Sequence, residues 1–216
     1  MNLRAQQLRP GHAGAASGRP DAGGLAPLAC LLLLLSSACA LAAQQSSAPL
    51  TFTFDPAATS IHWTLNTTIH TVHGTFKLKS GSVTLDPATG DASGLITVSA
   101  ASGESGEPSR DNRMQKVVLE SDRYPDITFR PTHVQGAVTA SASGSITVDG
   151  IFNLHGQDHP LQLTVSLHPT DAALAAHTRF VIPFVAWGLK DPSIMMFRTE
   201  KQVAIDIDAI AIPSPH

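Results

Sequence analysis

The histidines are the side chains in this 216-residue sequence whose spacing most resembles a metal site. His155 and His159 lie four residues apart in a polar segment that we interpret as a hairpin turn, where two imidazoles could bind one metal ion. His70 and His73 are three apart, and residues three apart on a strand point to opposite faces. We expect surface or structural roles for all four, and we predict no metal ligand. A histidine-dependent metal enzyme is the least favoured function.

The carboxylates and the absence of known enzyme motifs also argue against catalysis. Asp206 and Asp208 would have to converge on a pocket to serve as an acid–base pair, but they lie on the polar side of an alternating stretch. The sequence contains no G-x-S-x-G, H-E-x-x-H, C-x-x-C, phosphate-loop or G-x-G-x-x-G motif. We therefore predict that the protein is not an enzyme, has no catalytic residue and needs no cofactor.

Two arginines could bind an anionic group. Arg110 and Arg113 can each donate paired hydrogen bonds to a phosphate or carboxylate, so they are candidate contacts for a ligand head group. The alternative is a salt bridge with Asp111 or Glu120, or simple solvation. Both arginines begin a polar stretch that predicts one short helical segment near residues 110–122. Ser109 or Asp111 could cap its start.

The elements that must position these groups are mostly strands. After residue 50 the sequence alternates apolar and polar residues over short stretches separated by turn residues. This period indicates strands with one apolar face, and their regular spacing predicts an all-β fold of about eight antiparallel strands. We favour an extended barrel that carries or sequesters a lipid. The alternative is a β-sandwich with a filled core that acts as a stress-response or interaction module and binds no ligand.

The apolar sides of these strands supply the candidate interior. We expect Trp63, Phe129, Phe180 and Ile205 to point inward, because each lies on the apolar face of its own strand. An apolar interior without charges suits a long lipid chain. The full set of candidate cavity residues is Phe54, Trp63, Phe76, Met114, Phe129, Phe152, Leu163, Phe180, Ile182, Trp187 and Ile205, with Met195, Met196 and Phe197 near a strand end.

The N-terminal region predicts export. Residues 25–43 are apolar, follow three arginines and end in small residues with A-x-A spacing, so residues 1–43 resemble a signal peptide cleaved after Ala42 or Ala43. An uncleaved anchor and lipidation at Cys39 are the alternatives. Both cysteines lie in this segment, so the exported chain has no disulfide. A polar leader over 44–49 precedes the domain at 50–212, and 213–216 form a tail.

The charge pattern limits the partners. The net charge is −3 and basic residues form no run, which excludes the basic surface that nucleic-acid binding needs. We expect a periplasmic or secreted protein without a stable membrane span once the signal is removed. A second copy of the chain, forming a homodimer, is a further candidate partner.

Several motifs, in their order and spacing, resemble the YceI-like family of exported, lipocalin-like lipid-binding proteins. Arg113, Asp158 and His159 depart from the residues usual there. The resemblance implies an extended antiparallel lipocalin-like barrel that binds a polyisoprenoid or another long-chain amphiphile. The matching segments are Phe54-Asp55-Pro56, Val72-His73-Gly74-Thr75-Phe76, Gly81 to Pro87, Arg110-Asp111 with Met114, Tyr124-Pro125 with Ile127 and Phe129, Ile151 to Gly156, and Pro183 to Ser193.

Overall fold

The computed structural model describes residues 48–138, 143–193 and 198–214. The expected signal peptide at 1–43, most of the polar leader and residues 195–197 lie outside these ranges.

Within the described ranges the chain forms nine strands and one helical segment. The strands are β1 (Leu50–Phe54), β2 (Ser60–Asn66), β3 (Thr71–Leu85), β4 (Ala92–Glu104), β5 (Asp126–Gln135), β6 (Gly144–Leu154), β7 (Gln157–Pro169), β8 (Leu174–Ile182) and β9 (Val203–Pro213). The last strand thus includes Pro213, which the sequence analysis assigns to the tail.

All strand pairings are antiparallel, and they close into a barrel with eight strand positions. Each strand from β4 to β9 pairs with the next, and β3 pairs with β4 to complete the ring. β1 and β2 share one position, because both pair with β3 on one side and β9 on the other. The predicted all-β barrel is confirmed, and the sandwich alternative is wrong because the sheet closes on itself.

Alternation along each strand decides which side chains enter the barrel. In β2, Ile61 and Trp63 are buried while Ser60 and His62 are exposed. The side-chain period of a strand is two, so a single register places every second residue of a strand, here mostly apolar ones, inside. Buried side chains form two clusters, one at the end of the barrel that carries the helical segment and one at the far end around Leu85 and Ile146.

The helical segment lies between β4 and β5. It consists of α1 (Pro108–Arg113) followed directly by a π-helical turn (Met114–Val118). The predicted cap at Ser109 or Asp111 is wrong: the cap is Glu107, whose carboxylate accepts from the backbone N–H groups of Ser109 and Arg110. Pro108 at the first helical position fits this start, because proline has no N–H to satisfy. The segment therefore begins and ends a few residues earlier than predicted.

A candidate ligand cavity

The barrel interior contains two cavities, of about 630 Å³ (the main cavity) and about 210 Å³ (the deep cavity). The main cavity has a volume typical of a small-molecule site. The two cavities are adjacent sections of one interior, because six residues line both: Ile61, Val98, Ile127, Phe152, Phe180 and Ile207.

Most residues proposed from the sequence line these cavities. Trp63, Phe129, Phe180 and Ile205 all point inward, as strand alternation predicts. The main cavity is lined by Trp63, Phe76, Met114, Phe152, Phe180, Ile182 and Ile205, and the deep cavity by Phe54, Phe129, Phe152, Leu163 and Phe180.

Trp187 lies elsewhere. Its ring stacks on His159, with 4.0 Å between centroids and 4° between planes, and it is not among the residues that line either cavity. The chain turns back after β8, where the N–H of Trp187 donates to the carbonyl of Pro183. This turn inserts Phe184 and Leu189 into the main cavity wall instead. The alternation of apolar and polar residues cannot predict the positions of these three side chains, because the alternation ends where β8 ends.

Aromatic rings of the wall lie against glycines of neighbouring strands. The indole of Trp63 occupies the space that a Cβ at Gly74, its partner in register, would need. A side chain at that glycine would push the ring toward the centre of the barrel. The same arrangement occurs for Phe76 over Gly103 and for Phe129 over Gly150.

The indole N–H of Trp63 is buried without a hydrogen-bond partner among the described residues. The side chain as a whole is only 5% exposed. Buried tryptophan N–H groups usually find an acceptor. The nitrogen itself is buried, so it is not a donor that is exposed to the cavity.

The polar side chains of Thr, His, Glu, Ser and Arg that line the main cavity belong to three segments, which we together call the rim. The rim consists of three segments: Thr67, Ile69 and His70 in the β2–β3 turn; Glu107, Ser109, Arg110 and Arg113 at the helical segment; and Pro192, Arg198 and Thr199 between β8 and β9. Two of these segments are joined, since the N–H of Thr68 donates to the carbonyl of Arg198 at 3.0 Å. The exposure of Ile69, His70, Glu107 and Arg113 indicates that the cavity opens here.

The deep cavity has a different lining. It is apolar apart from three threonines, Thr59, Thr128 and Thr178, and no charged residue lines it within the described ranges. The hydroxyl of Thr178 donates to the carbonyl of Thr164 at 2.8 Å, so this polar group is already satisfied. The interior thus changes from polar and charged at the rim to apolar in depth.

The arginines proposed for a head group both line the rim. The guanidinium of Arg110 is held by Ser105, with Nε donating to Oγ at 2.7 Å and Nη2 to the carbonyl oxygen at 3.0 Å. Arg113 is exposed and forms no ion pair within the described ranges. Sequence reasoning missed Arg198, which lies just before the last strand; no motif marks it.

Glu107 is a rim carboxylate that is engaged by its own helix. It accepts from the hydroxyl of Ser109 at 2.8 Å and from the N–H groups of Ser109 and Arg110 at 3.1 and 2.8 Å. These hydrogen bonds, that from the Ser109 hydroxyl first, hold the pKa of Glu107 below its ordinary value.

His155 and His159 do not face a common point. The hairpin turn is shorter than predicted, only His155 and Gly156, so His159 already lies on β7. Nε2 of His155 lies 2.9 Å from a carboxylate oxygen of Glu120, and the ring packs on Tyr124 with 4.2 Å between centroids. His159 instead stacks on Trp187. The geometry therefore gives this pair no shared metal position.

Asp206 and Asp208 lie on the outside of β9. Together with His177 they place three ligand-type atoms within 4.8 Å of one another. Nδ1 of His177 is 2.9 Å from Asp208 and 3.7 Å from Asp206. The cluster does not adjoin either cavity, which agrees with the solvent-facing role expected from the sequence.

A family model described as the YceI-like domain matches residues 52–211. The chain belongs to the YceI-like family. The match spans the barrel from β1 to β9 and includes both cavities and the rim.

Solved structures share this YceI-like fold. BcnA from Burkholderia cenocepacia is 17% identical with a TM-score of 0.59, over 73% of this chain and 98% of that one. A polyisoprenoid binding domain from Saccharophagus degradans, implicated in plant cell wall breakdown, is 13% identical with a TM-score of 0.58, over 76% and 99%. A Campylobacter jejuni YCEI protein is 16% identical with a TM-score of 0.54, over 68% and 88%. At these identities the likeness concerns the fold.

No curated protein sequence matches this YceI-like chain. Across the described residues, none of the helical structure is long and apolar enough to cross a membrane.

Proposed function

We propose that this YceI-like barrel binds a long-chain lipid, with a polyisoprenoid as the leading class, and carries or sequesters it without chemical conversion. The observation that carries the proposal is the interior itself: two adjacent cavities, apolar in depth and open at a polar rim. A long amphiphile has the same polarity profile, with an apolar chain and a polar end. The structural likeness to a polyisoprenoid binding domain supports the same class of ligand.

The expected affinity follows from burial of the chain. At ~0.8 kcal/mol per buried methylene, ten such groups contribute about 8 kcal/mol. Losses of translational and rotational freedom offset part of this gain, so the dissociation constant should be near micromolar or weaker. Such an affinity suits a carrier that must release its lipid.

We further propose that the protein acts outside the cytoplasm, in the periplasm or after secretion. The support is the N-terminal sequence, with its apolar segment and small residues near Ala42 and Ala43. A binding protein in an aqueous compartment would let a lipid cross water inside the barrel.

The direct test is organic extraction of protein purified from a producing host, with mass spectrometry of the extract. We expect a lipid in near-stoichiometric amount. Ile205→Glu should abolish it, because this side chain is 8% exposed, lines the main cavity and has Trp63 and Phe180 as strand neighbours. A lone buried charge is costly.

The matched control is Val181→Glu, which places the same charge on the adjacent strand at a residue that is 48% exposed. This variant should retain the lipid, and circular dichroism should show that both variants keep their strands. Lipid-free parent protein that also fails to bind added prenols would exclude the carrier function.

A further inference from the structure

The rim carries more positive than negative charge. The charged residues that line the main cavity, within the described ranges, are Arg110, Arg113, Arg198 and Glu107. Glu107 is occupied by three hydrogen bonds from Ser109 and Arg110. The carboxylate of Glu107 is therefore already used as a helix cap. The three guanidinium groups outnumber it.

The three arginines differ in the hydrogen bonds and ion pairs that they form. Arg110 donates to Ser105, whose hydroxyl also contacts the carboxylate of Asp111. Its charge is thus partly balanced, and its side chain is fixed. Arg113 and Arg198 are both exposed, and neither forms an ion pair with another described residue. Arg198 lies close enough to Asp191 to add a small contribution to the lowered pKa of that carboxyl, which is due mainly to hydrogen bonds from Ser193.

Arg113 and Arg198 lie on separate segments of the rim. Arg113 ends α1, and Arg198 lies beside the β2–β3 turn, where its carbonyl accepts from Thr68. Both line the cavity that holds the apolar part of the proposed ligand. A head group that emerges from the main cavity would therefore meet guanidinium donors from two separate segments of the chain.

We infer that the rim selects an amphiphile with an anionic head group, a phosphate or a carboxylate, and that Arg113 and Arg198 contact it. This inference rests on the proposed function and adds the charge of the ligand. Guanidinium groups bind both anions through paired, charge-assisted hydrogen bonds, which are stronger than those to a neutral hydroxyl. A neutral prenol would fill the same cavity but would leave both arginines with water.

The test uses ligands that share one tail and differ only in the head. Binding of geranylgeranyl monophosphate, geranylgeranoic acid and geranylgeraniol to the purified protein is measured by isothermal titration calorimetry at low salt and with added NaCl. We expect an anionic ligand to bind roughly tenfold more tightly than the alcohol, and salt to reduce this difference. The two anionic ligands tell whether phosphate or carboxylate is preferred.

Arg113→Gln combined with Arg198→Gln should remove most of that advantage, measured as the ratio of anionic-ligand to geranylgeraniol affinity within the same variant. The matched control is Arg123→Gln with Arg179→Gln, which changes the net charge equally at two exposed arginines that do not line either cavity. The control should bind all three ligands like the parent.

Each contrary result has a distinct meaning. Equal binding of the three ligands would overturn the anionic head group and leave the lipid-binding proposal standing. An anionic preference that survives in Arg113→Gln/Arg198→Gln, or that is lost equally in the control, would overturn the assignment to these two arginines. Failure of all three ligands to bind would remove both the inference and the proposed function.

Discussion

At the scale of single residues, the width of the cavity depends on glycines in the barrel wall. The ring of Trp63 can lie against the barrel wall because its partner in β3 is Gly74. A glycine inside a strand usually weakens it, so its presence often marks a close approach of another group. Here that group is an aromatic ring that would otherwise occupy the interior.

We expect Gly74→Ala to destabilise the protein by about 1–3 kcal/mol, the usual cost of adding atoms to a packed site. The new methyl group would collide with both the indole of Trp63 and the backbone carbonyl of Glu104, and the backbone cannot move aside cheaply. Thermal unfolding measures the effect. Gly144→Ala is the control, because a Cβ there meets no atom within 4 Å. An equal loss of stability in both variants would contradict the close approach at Gly74.

At the scale of elements, the helical segment is held at both ends by specific side chains. Glu107 caps its start, and Glu120, just beyond its end, contacts His155 of the β6–β7 turn at 2.9 Å and Lys190 at 3.7 Å. The side chain of Gln115 also donates to the carbonyl of Gly103 on β4 at 2.9 Å. These contacts fix a six-residue helix and a π-helical turn that are too short to be stable alone.

The cap should fail in acid. Because hydrogen bonds lower the pKa of Glu107 in the folded state, its contribution is fully present above the ordinary glutamate pKa of ~4.3 and is lost as the pH falls through the lower folded value. The protection of the Ser109 and Arg110 amides against hydrogen exchange, relative to the intrinsic exchange rate at each pH, should fall in that range. In Glu107→Gln this acid-dependent step should vanish. Its persistence would mean that another group controls the start of the helix.

At the scale of the whole molecule, the decisive property is that the barrel is closed but not filled. Eight strand positions are just enough to enclose either packed side chains or one small ligand. The end with the helical segment contains the main cavity, and the far end contains the smaller deep cavity, which is lined by the second buried cluster: Leu85, Val134, Ile146, Leu167, Leu174 and Ala211. Both ends thus combine buried apolar side chains with open volume, and the larger volume lies at the end with the helical segment.

Leu163→Ala tests whether the deep cavity is filled by side chains or can hold a ligand, because Leu163 is 9% exposed and lines this cavity. In a packed core this change costs ~2–5 kcal/mol. We expect a loss at the lower end without lipid and a smaller loss with added long-chain prenol, since the ligand can occupy the new space. Thermal unfolding of parent and variant with and without prenol measures this. The same large loss in both conditions, with no prenol effect on the parent, would show a filled core.

The export proposal also concerns the whole chain. N-terminal sequencing of material recovered outside the cytoplasm should find a first residue near 43 or 44, because small residues at Ala40 and Ala42 fit a cleavage site. A product that begins at Met1 and stays in the membrane would contradict it. A lipid attached to Cys39 would point to the lipidated alternative.

The sequence alone determined the class of fold and the sides of the strands, because both follow from the period of two between neighbouring side chains. Alternation was therefore sufficient to assign Trp63, Phe129, Phe180 and Ile205 to the interior. Tertiary structure decided what is not periodic: the Glu107 cap, the turn that moves Trp187 out of the wall, and the placement of Arg113 and Arg198 on the lining of the same cavity. It also decided that the interior is hollow, since this depends on barrel closure and on rings that lie over glycines of other strands.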